Sequence, residues 1–276
     1  MDFWIAIPDS TLADEQTRRD KSTKIAQIAR ACAIFKVSRV YIYRDRERDY
    51  SSDRKLLKLI LEFLDTPQYL RRSLYPKIAE LEFAGVLHPL KVPHHKPSKD
   101  ARDVKAGEIR EALAVKVKGN YFVDAGLGSL IPLEGSALEG KRITIRFTSE
   151  YPTLRCAVAS KQDINEYWGY EVRDVHSISE MLKGVSILVV MTSKQGEPLN
   201  RLEAELSPEI KKTSSALIVF GSPNRGLFEI LKDERRHPKE FTKYVLNFFP
   251  KQAVETVRLE EAIMGCLSLL NYIANK

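Results

Sequence analysis

The 276-residue chain predicts an α/β protein with a parallel sheet, interrupted by a smaller all-β domain. Three observations carry that expectation. Apolar runs alternate with helical stretches toward both ends of the chain, the order that builds βα units. Two of the runs, "VSILVVMTS" (185–193) and "SALIVFG" (215–221), are apolar almost throughout, as strands buried on both faces are. Between the ends, residues 89–164 break into short alternating runs separated by Gly and Pro, the texture of a small antiparallel barrel or sandwich.

Taken in order, "FWIAI" (3–7), "KSTKIAQIARACAIF" (21–35) and "RVYIY" (39–43) read as strand, helix and strand. Ile25, Ile28, Ala29, Cys32 and Phe35 share one helical face. "SDRKLLKLILEFLDTPQYL" (52–70) is a second helical region that stops around Pro67, and residues 75–87 follow with turn residues at both ends. In the middle, "LAVKVKG", "NYFVDAG" and "RITIRFTS" alternate as strands. After Lys161, "SISEMLKG" reads as a helix, residues 185–193, 215–221 and "KYVLNFFP" (243–250) as strands, and the last helix begins near Thr256. That helix places Leu259, Ile263, Cys266, Leu267, Leu270 and Ile273 on one face.

Composition narrows the class. A hydrophobic content of 43% suffices for a packed core, and no apolar run nears the roughly 18 residues of a membrane span. "MDFWIAIPDS" lacks the basic and apolar segments of a secretion signal, so a cytoplasmic protein is expected. Cys32, Cys156 and Cys266 are far apart, with no CxxC pair and no histidine at zinc-finger spacing; they read as small core hydrophobes, with no metal and no disulfide expected. The net charge of +7 favours a polyanionic partner, and 13 basic against 8 acidic residues between Pro89 and Lys161 place most of the excess in the middle third.

Three strands of the last third run into loops of unusual composition: "MTSKQG" (191–196), "GSPNRG" (221–226) and "NFFPKQAVETVR" (247–258). Open α/β sheets bind ligands beyond the carboxyl ends of their strands, so three such loops form a candidate pocket. Neither GxGxxG nor GxxxxGK[ST] is present, which argues against a phosphate cradle. A ligand read by backbone amides and carbonyls, such as an adenosine without phosphates, fits better.

"FGSPNRG" followed by "LNFFPKQAVETVRLEEAIMGCLSLLN" resembles the cofactor motifs of the SPOUT, or α/β-knot, RNA methyltransferases. "AIPDST", "KIAQIARACAIFKVSRVYIYRD", "DTPQYLRRSLYP", "LHPLKVPHHK" and "VDAGLG" look like successive landmarks of the archaeal and eukaryotic branch with an inserted OB-like barrel. The resemblance spans the chain. It implies an α/β fold in which residues 1–88 and 165–276 make one trefoil-knotted, parallel-sheet methyltransferase domain, residues 89–164 an inserted OB-like, RNA-binding barrel, and two chains a homodimer. The implied cofactor is S-adenosyl-L-methionine and the implied partner RNA, ribosomal RNA with a base target such as uridine N3, without membrane or metal.

Matching positions imply that Thr192, Ser193, Gly221, Ser222, Pro223, Gly226, Asn247, Phe248, Phe249, Pro250, Gln252, Thr256 and Val257 line the cofactor. Ala253 stands where the family usually has Gly, and Leu259 where a Thr often precedes Glu260 and Glu261. Arg225 is the candidate catalytic residue, holding the substrate nucleotide or its phosphate; its structural alternative is an i,i+4 ion pair with Glu229. Arg258 either reaches the cofactor carboxylate or simply sits in the first turn of the last helix, and Glu255 is either a proton acceptor or a solvated carboxylate. Candidate RNA contacts are Arg18, Arg19, Lys21, Lys24, Arg30, Arg71, Arg72, Lys91, His94, His95 and Lys96. His94 and His95 lack acidic or Cys companions at ligand spacing, so a structural or RNA-contacting role outranks metal binding. Tyr121, Phe122 and Phe147 are candidates for base stacking but read as barrel core. Two competing functions are a non-catalytic RNA-binding or assembly protein that keeps the knot as a dimer scaffold, and a Rossmann-type enzyme, which the missing glycine fingerprint opposes.

Overall fold

The computed structural model describes residues 1–95 and 100–276. They divide into two compact units, one of residues 1–62, 82–88 and 170–276, the other of residues 63–81 and 89–169.

The first unit holds β1 (Asp2–Pro8), α1 (Arg18–Ile34), β2 (Val37–Tyr43) and most of α2 (Ser51–Asp65), whose last three residues belong to the second unit. Its second half, after α3 (Gln68–Leu74) and the barrel strands β3–β7 described below, comprises β8 (Glu171–Val175), α4 (Ile178–Lys183), β9 (Leu188–Pro198), α5 (Leu199–Lys212), β10 (Ser215–Val219), α6 (Leu227–Asp233), β11 (Val245–Asn247) and α7 (Leu259–Asn275). Six strands form one sheet in the order β11-β9-β10-β1-β2-β8, every pair parallel. β1 sits near the middle, paired through Ile5 with Ile218 and Val40.

Alternate strand residues explain the apolar runs. Ala6, Tyr41, Tyr43, Val189, Met191, Leu217 and Val219 point to one face, where Ile178, Met181 and Leu182 of α4 and Leu227, Ile230 and Leu231 of α6 cover them. Ile5, Ile7, Val40, Ile42, Val190 and Ile218 point the other way and are equally buried. At about 1.5–3 kcal/mol per fully buried side chain, this double-sided core is the main source of the unit's stability. The face of α1 read from the sequence is buried at Ile25, Ile28, Ala29 and Cys32, and that of α7 at all six positions from Leu259 to Ile273. All three cysteines are free and buried.

Two elements differ from the sequence expectation, and a helix forms over 199–212, a stretch given no element above. β9 continues to Pro198, because Glu197 and Pro198 still pair with Leu246 and Asn247 of β11, so "MTSKQG" is strand and not loop. β11 has only three residues, since Phe248 and Phe249 leave the ladder. α5 forms over a highly charged stretch containing Pro208, anchored by the buried Leu199, Leu206 and Ile210.

The second unit is built on a closed barrel of β3 (Ile109–Val117), β4 (Asn120–Asp124), β5 (Leu130–Glu134), β6 (Arg142–Ser149) and β7 (Arg155–Val158), ordered β3-β4-β5-β7-β6. Only β5 and β7 pair in parallel. Ala112, Val123, Ile131, Leu133, Ile145, Phe147 and Cys156 fill it, with Tyr121 packed alongside. The same unit contains a buried polar cluster. Glu111 accepts hydrogen bonds from Thr144 Oγ1 and Trp168 Nε1, both 2.6 Å, and pairs with Arg142, whose Nη1 lies 3.0 Å from Asp65 Oδ2. Burial opposes the charge of Arg142, but Asp65 and Glu111 together hold its pKa above the usual value. Among the described residues no helix is long and apolar enough to cross a membrane, and no group of three potential metal ligands occurs.

Candidate active site

Against the middle of β9 and at the carboxyl ends of β10 and β11 lies a cavity of about 290 Å³, at the low end for small-molecule sites. Three segments wall it. β9 contributes Thr192, Ser193, Lys194 and Gln195; the loop after β10 contributes Phe220 to Gly226, followed by Phe228 and Glu229 of α6; β11 and the segment after it contribute Leu246 to Phe249, Gln252 and Glu255 to Val257, with Leu259, Ala262 and Cys266 of α7 behind.

Cross-bonds set the relative positions of these segments. Thr192 Oγ1 donates to the Val219 carbonyl at 3.1 Å, and Asn247 Nδ2 to the Lys194 carbonyl at 3.1 Å. Lys194 Nζ and Gln252 Nε2 both donate to the Glu255 carbonyl, at 3.3 and 3.1 Å. The hydroxyl of Tyr43, at the end of β2, donates to the Phe220 carbonyl. Two glycines permit close approach. A Cβ on Gly196 would stand 2.6 Å from the Val245 carbonyl oxygen, and one on Gly221 would stand 2.9 Å from that of Arg225. Ser222 folds the loop on itself, its N–H donating to the Arg225 carbonyl at 2.8 Å while its Oγ accepts from the Arg225 N–H at 2.9 Å.

Of the residues expected around the cofactor, Thr192, Ser193, Gly221, Ser222, Pro223, Gly226, Asn247, Phe248, Phe249, Gln252, Thr256 and Val257 come together in this wall. Pro250 is exposed outside it, and Arg258 is the exposed N-cap of α7, its N–H donating to Glu261 Oε2 at 3.0 Å. Arg225 lines the cavity and makes neither an ion pair with Glu229 nor a lone surface contact. Its Nη1 lies 2.6 Å from Asp45 Oδ1 and its Nη2 lies 2.7 Å from Asp233 Oδ2, while Glu229 offers only its backbone carbonyl at 3.3 Å. The Glu229 carboxylate instead caps α6 by accepting from the Gly226 N–H at 2.9 Å. Burial disfavours the charge of Arg225, yet Asp233 and Asp45 keep its pKa above the ordinary value.

The candidate RNA contacts are distributed differently. Arg18, Arg19, Arg30, Arg72 and Lys91 are exposed. Lys21 pairs with Asp53 at 2.6 Å. Lys24 is only 2% exposed, its ammonium held by Asp14, Glu15 and Glu260, so its charge is neutralised inside the fold. Arg71 donates to the carbonyls of Thr66 and Leu64 and stacks on Phe63. His94 and His95 point their Nε2 atoms at the Asp65 carbonyl, each at 2.8 Å, with His94 buried. Lys96 lies outside the described residues. Sequence reasoning missed Asp45, Asp233 and Ser10, whose roles depend on chain segments brought together only by the sheet.

The profile of a family described as "Putative RNA methyltransferase" matches residues 2–270. The 28S rRNA (uridine-N(3))-methyltransferase of Homo sapiens is 30% identical over 301 aligned positions, which cover 96% of this chain and 77% of that protein. The Drosophila melanogaster protein of the same name is 27% identical, and the match covers 96% of this chain but 61% of that relative, less than two thirds of its length. An uncharacterised protein of Haloarcula marismortui, rrnAC1612, is 26% identical, with 96% of this chain and 97% of that protein covered. The family match takes in both halves of the parallel sheet, the barrel between them and every wall of the cavity, and this chain therefore belongs to that RNA methyltransferase family.

Proposed function

We propose that the chain transfers a methyl group from S-adenosyl-L-methionine to N3 of a uridine in ribosomal RNA. One observation carries the reading: in an RNA methyltransferase, the middle of β9 and the loops that follow β10 and β11 converge on a cavity that has apolar walls, backbone-rich loops and no phosphate cradle. Relatives named for uridine N3 of 28S rRNA supply the target atom. The proposal includes SPOUT-class membership and a trefoil knot formed by the β9–α7 region. It also includes a homodimer through the outer side of α7, where Leu269 and Tyr272 are exposed.

The residues fit the cofactor. Phe220, Leu246, Phe248, Val257 and Leu259 would bury the base and exclude water, while the turn at Ser222 and the loop around Gln252 present main-chain groups for the polar edges. When bound, S-adenosyl-L-methionine supplies a methyl group already activated on a sulfonium. The protein's part is then mainly alignment, which contributes as much as about 7–11 kcal/mol in favourable cases. Arg225 holds the substrate nucleotide with its fork of donors. Uridine N3 gives up a proton as it gains the methyl group. Of the two carboxylates in the wall, that of Glu229 is committed to capping α6, which leaves Glu255 as the acceptor. Because N3 lies on the pairing edge, the target uridine is unpaired or splayed out. The five-stranded barrel, OB-like in strand order, would bind single-stranded RNA with exposed side chains such as Lys116, which sits 5.3 Å over the Tyr121 ring.

The test is methyl transfer from labelled cofactor to ribosomal RNA, followed by primer extension. N3 methylation blocks the pairing edge and stops the polymerase at one uridine. Label without a stop would move the target to a ribose or another atom, and absence of both labelling and calorimetric cofactor binding would overturn the reading.

A further inference from the structure

The parallel strands β1 and β2 end in a buried polar shelf that the methyl-transfer reading has not used. Asp45, just past β2, is fully buried. It accepts from Ser10 Oγ at 2.7 Å, from the Glu47 N–H at 3.3 Å and from Arg225 Nη1 at 2.6 Å. Its own N–H donates to Asp9 Oδ1 at 2.8 Å, and Asp9 is gripped in turn by Arg54, with Nη2 at 2.6 Å. Asp9 and Ser10 belong to the "AIPDST" stretch. On the other side of the same guanidinium, Asp233 ends α6 with its side chain 36% exposed.

One arginine of the cavity wall is thus shared by two carboxylates of opposite character. Asp45 cannot withdraw without stranding a buried anion among donors built to hold it. Asp233 can turn into water at little cost, because exposed pairs are weak. Its carboxylate occupies a position on the Arg225 fork that a phosphate oxygen fills with the same geometry.

We propose that Asp45, backed by Ser10 and Asp9, is the positioning residue that aims Arg225, and that Asp233 is a placeholder displaced from Arg225 Nη2 by a backbone phosphate oxygen of the substrate RNA. This rests on the reading of the cavity as the methyl-transfer site. The two carboxylates then have opposite effects when neutralised, which two merely structural ion pairs would not.

The experiment measures steady-state methyl transfer to ribosomal RNA for the full chain, with cofactor affinity by calorimetry as a check on the fold. Asp233→Asn lowers KM for RNA about two- to five-fold at unchanged kcat, the worth of an exposed pair. It also steepens the dependence of that KM on salt, because the phosphate then meets Arg225 with no carboxylate competing for it. Asp45→Asn lowers kcat/KM about 10- to 100-fold with cofactor affinity retained, because the aim of Arg225 relaxes. An unchanged or raised KM in Asp233→Asn, or one that falls with no change in salt dependence, overturns the placeholder. Should Asp45→Asn fail to fold, the surface variant Asp233→Asn still decides. A wild-type protein that neither binds cofactor nor methylates RNA overturns the cavity reading and this proposal with it, whereas an active wild type with a silent Asp233→Asn overturns the proposal alone.

Discussion

Acid should destabilise the barrel unit already between pH 7 and 5. His94 and His95 both direct Nε2 at the carbonyl of Asp65, and a carbonyl only accepts, so each ring carries its proton on Nε2 and leaves Nδ1 bare and buried without a partner among the described residues. Protonating Nδ1 would bury a cation beside Arg142, in the case of His94, or beside His94 and Arg71, in the case of His95. Burial, and then these charges, push both pKa values down from 6.5 to about 4. The sign follows: the unfolded chain binds protons near 6.5 and the folded one does not, so stability is complete above pH 6.5 and is lost as pH falls toward 4. A depression of this size is worth roughly 3 kcal/mol per histidine as an upper bound. In a unit of about 100 residues each kcal/mol moves Tm by about 4–8 °C, so lowering pH from 7 to 5.5 costs on the order of 10 °C. Trp168 reports locally, its ring 5.6 Å from that of His94, and Trp4→Phe removes the other indole. Glu111 does not imitate the effect, because Arg142, Thr144 and Trp168, against the opposing pull of burial, hold its pKa below 4.5. A Trp168 melting temperature that stays flat from pH 7 to 5, or one that falls equally in a His94→Gln/His95→Gln variant, would refute the reasoning.

Three further outcomes are expected. Arg225→Ala leaves Asp45 buried with only Ser10 and the Glu47 amide, a loss of about 3 kcal/mol, at the low end for a broken buried pair; the Tm of the sheet unit falls by about 6–12 °C, and a shift under 2 °C would show that Asp45 needs no cation. Gly196→Ala drives a Cβ to 2.6 Å from the Val245 carbonyl oxygen, so β9 and β11 separate at a cost of about 1–3 kcal/mol and calorimetry finds weaker cofactor binding; unchanged affinity would mean that the strands yield freely. Glu255→Gln lowers kcat about 10²- to 10⁴-fold with cofactor and RNA affinities held within two-fold, and an unchanged kcat removes Glu255 as the proton acceptor.

The parts of the fold legible in the sequence are those whose signal repeats locally. β1, α1, β2 and α7 each bury one or two faces, and that burial writes period 2 or period 3.6 into neighbouring residues. Phe248 and Phe249 misled by the same logic: their apolar side chains wall a cavity and do not extend β11. Lys24 could have been read correctly, since on α1 it shares a face with Ile28 and Ala31, so its burial was implied by the helix period. The partner of Arg225 could not. Asp45 lies 180 residues away, and only a parallel neighbour relation among β10, β1 and β2 brings the two ends together, whereas Glu229 offered itself by being four residues off. His94 and His95 were similarly opaque, because what fixes them is a backbone carbonyl with no sequence signature.

The strand order also sets a timetable for synthesis. β1 lies between β2 and β10, but β10 begins at Ser215. On a ribosome adding about 5–20 residues per second, the finished β1–β2 pair waits roughly 10–35 s for the strand that covers the open edge of β1. All the barrel strands are made by Val158, well inside that interval. The nascent chain therefore carries an exposed, strongly apolar strand edge for most of its translation, and contacts this distant in sequence also make the final docking slow. Expression without chaperones, or from a message that stalls between residues 160 and 215, should fail by aggregation through β1 sooner than by loss of any residue at the cavity.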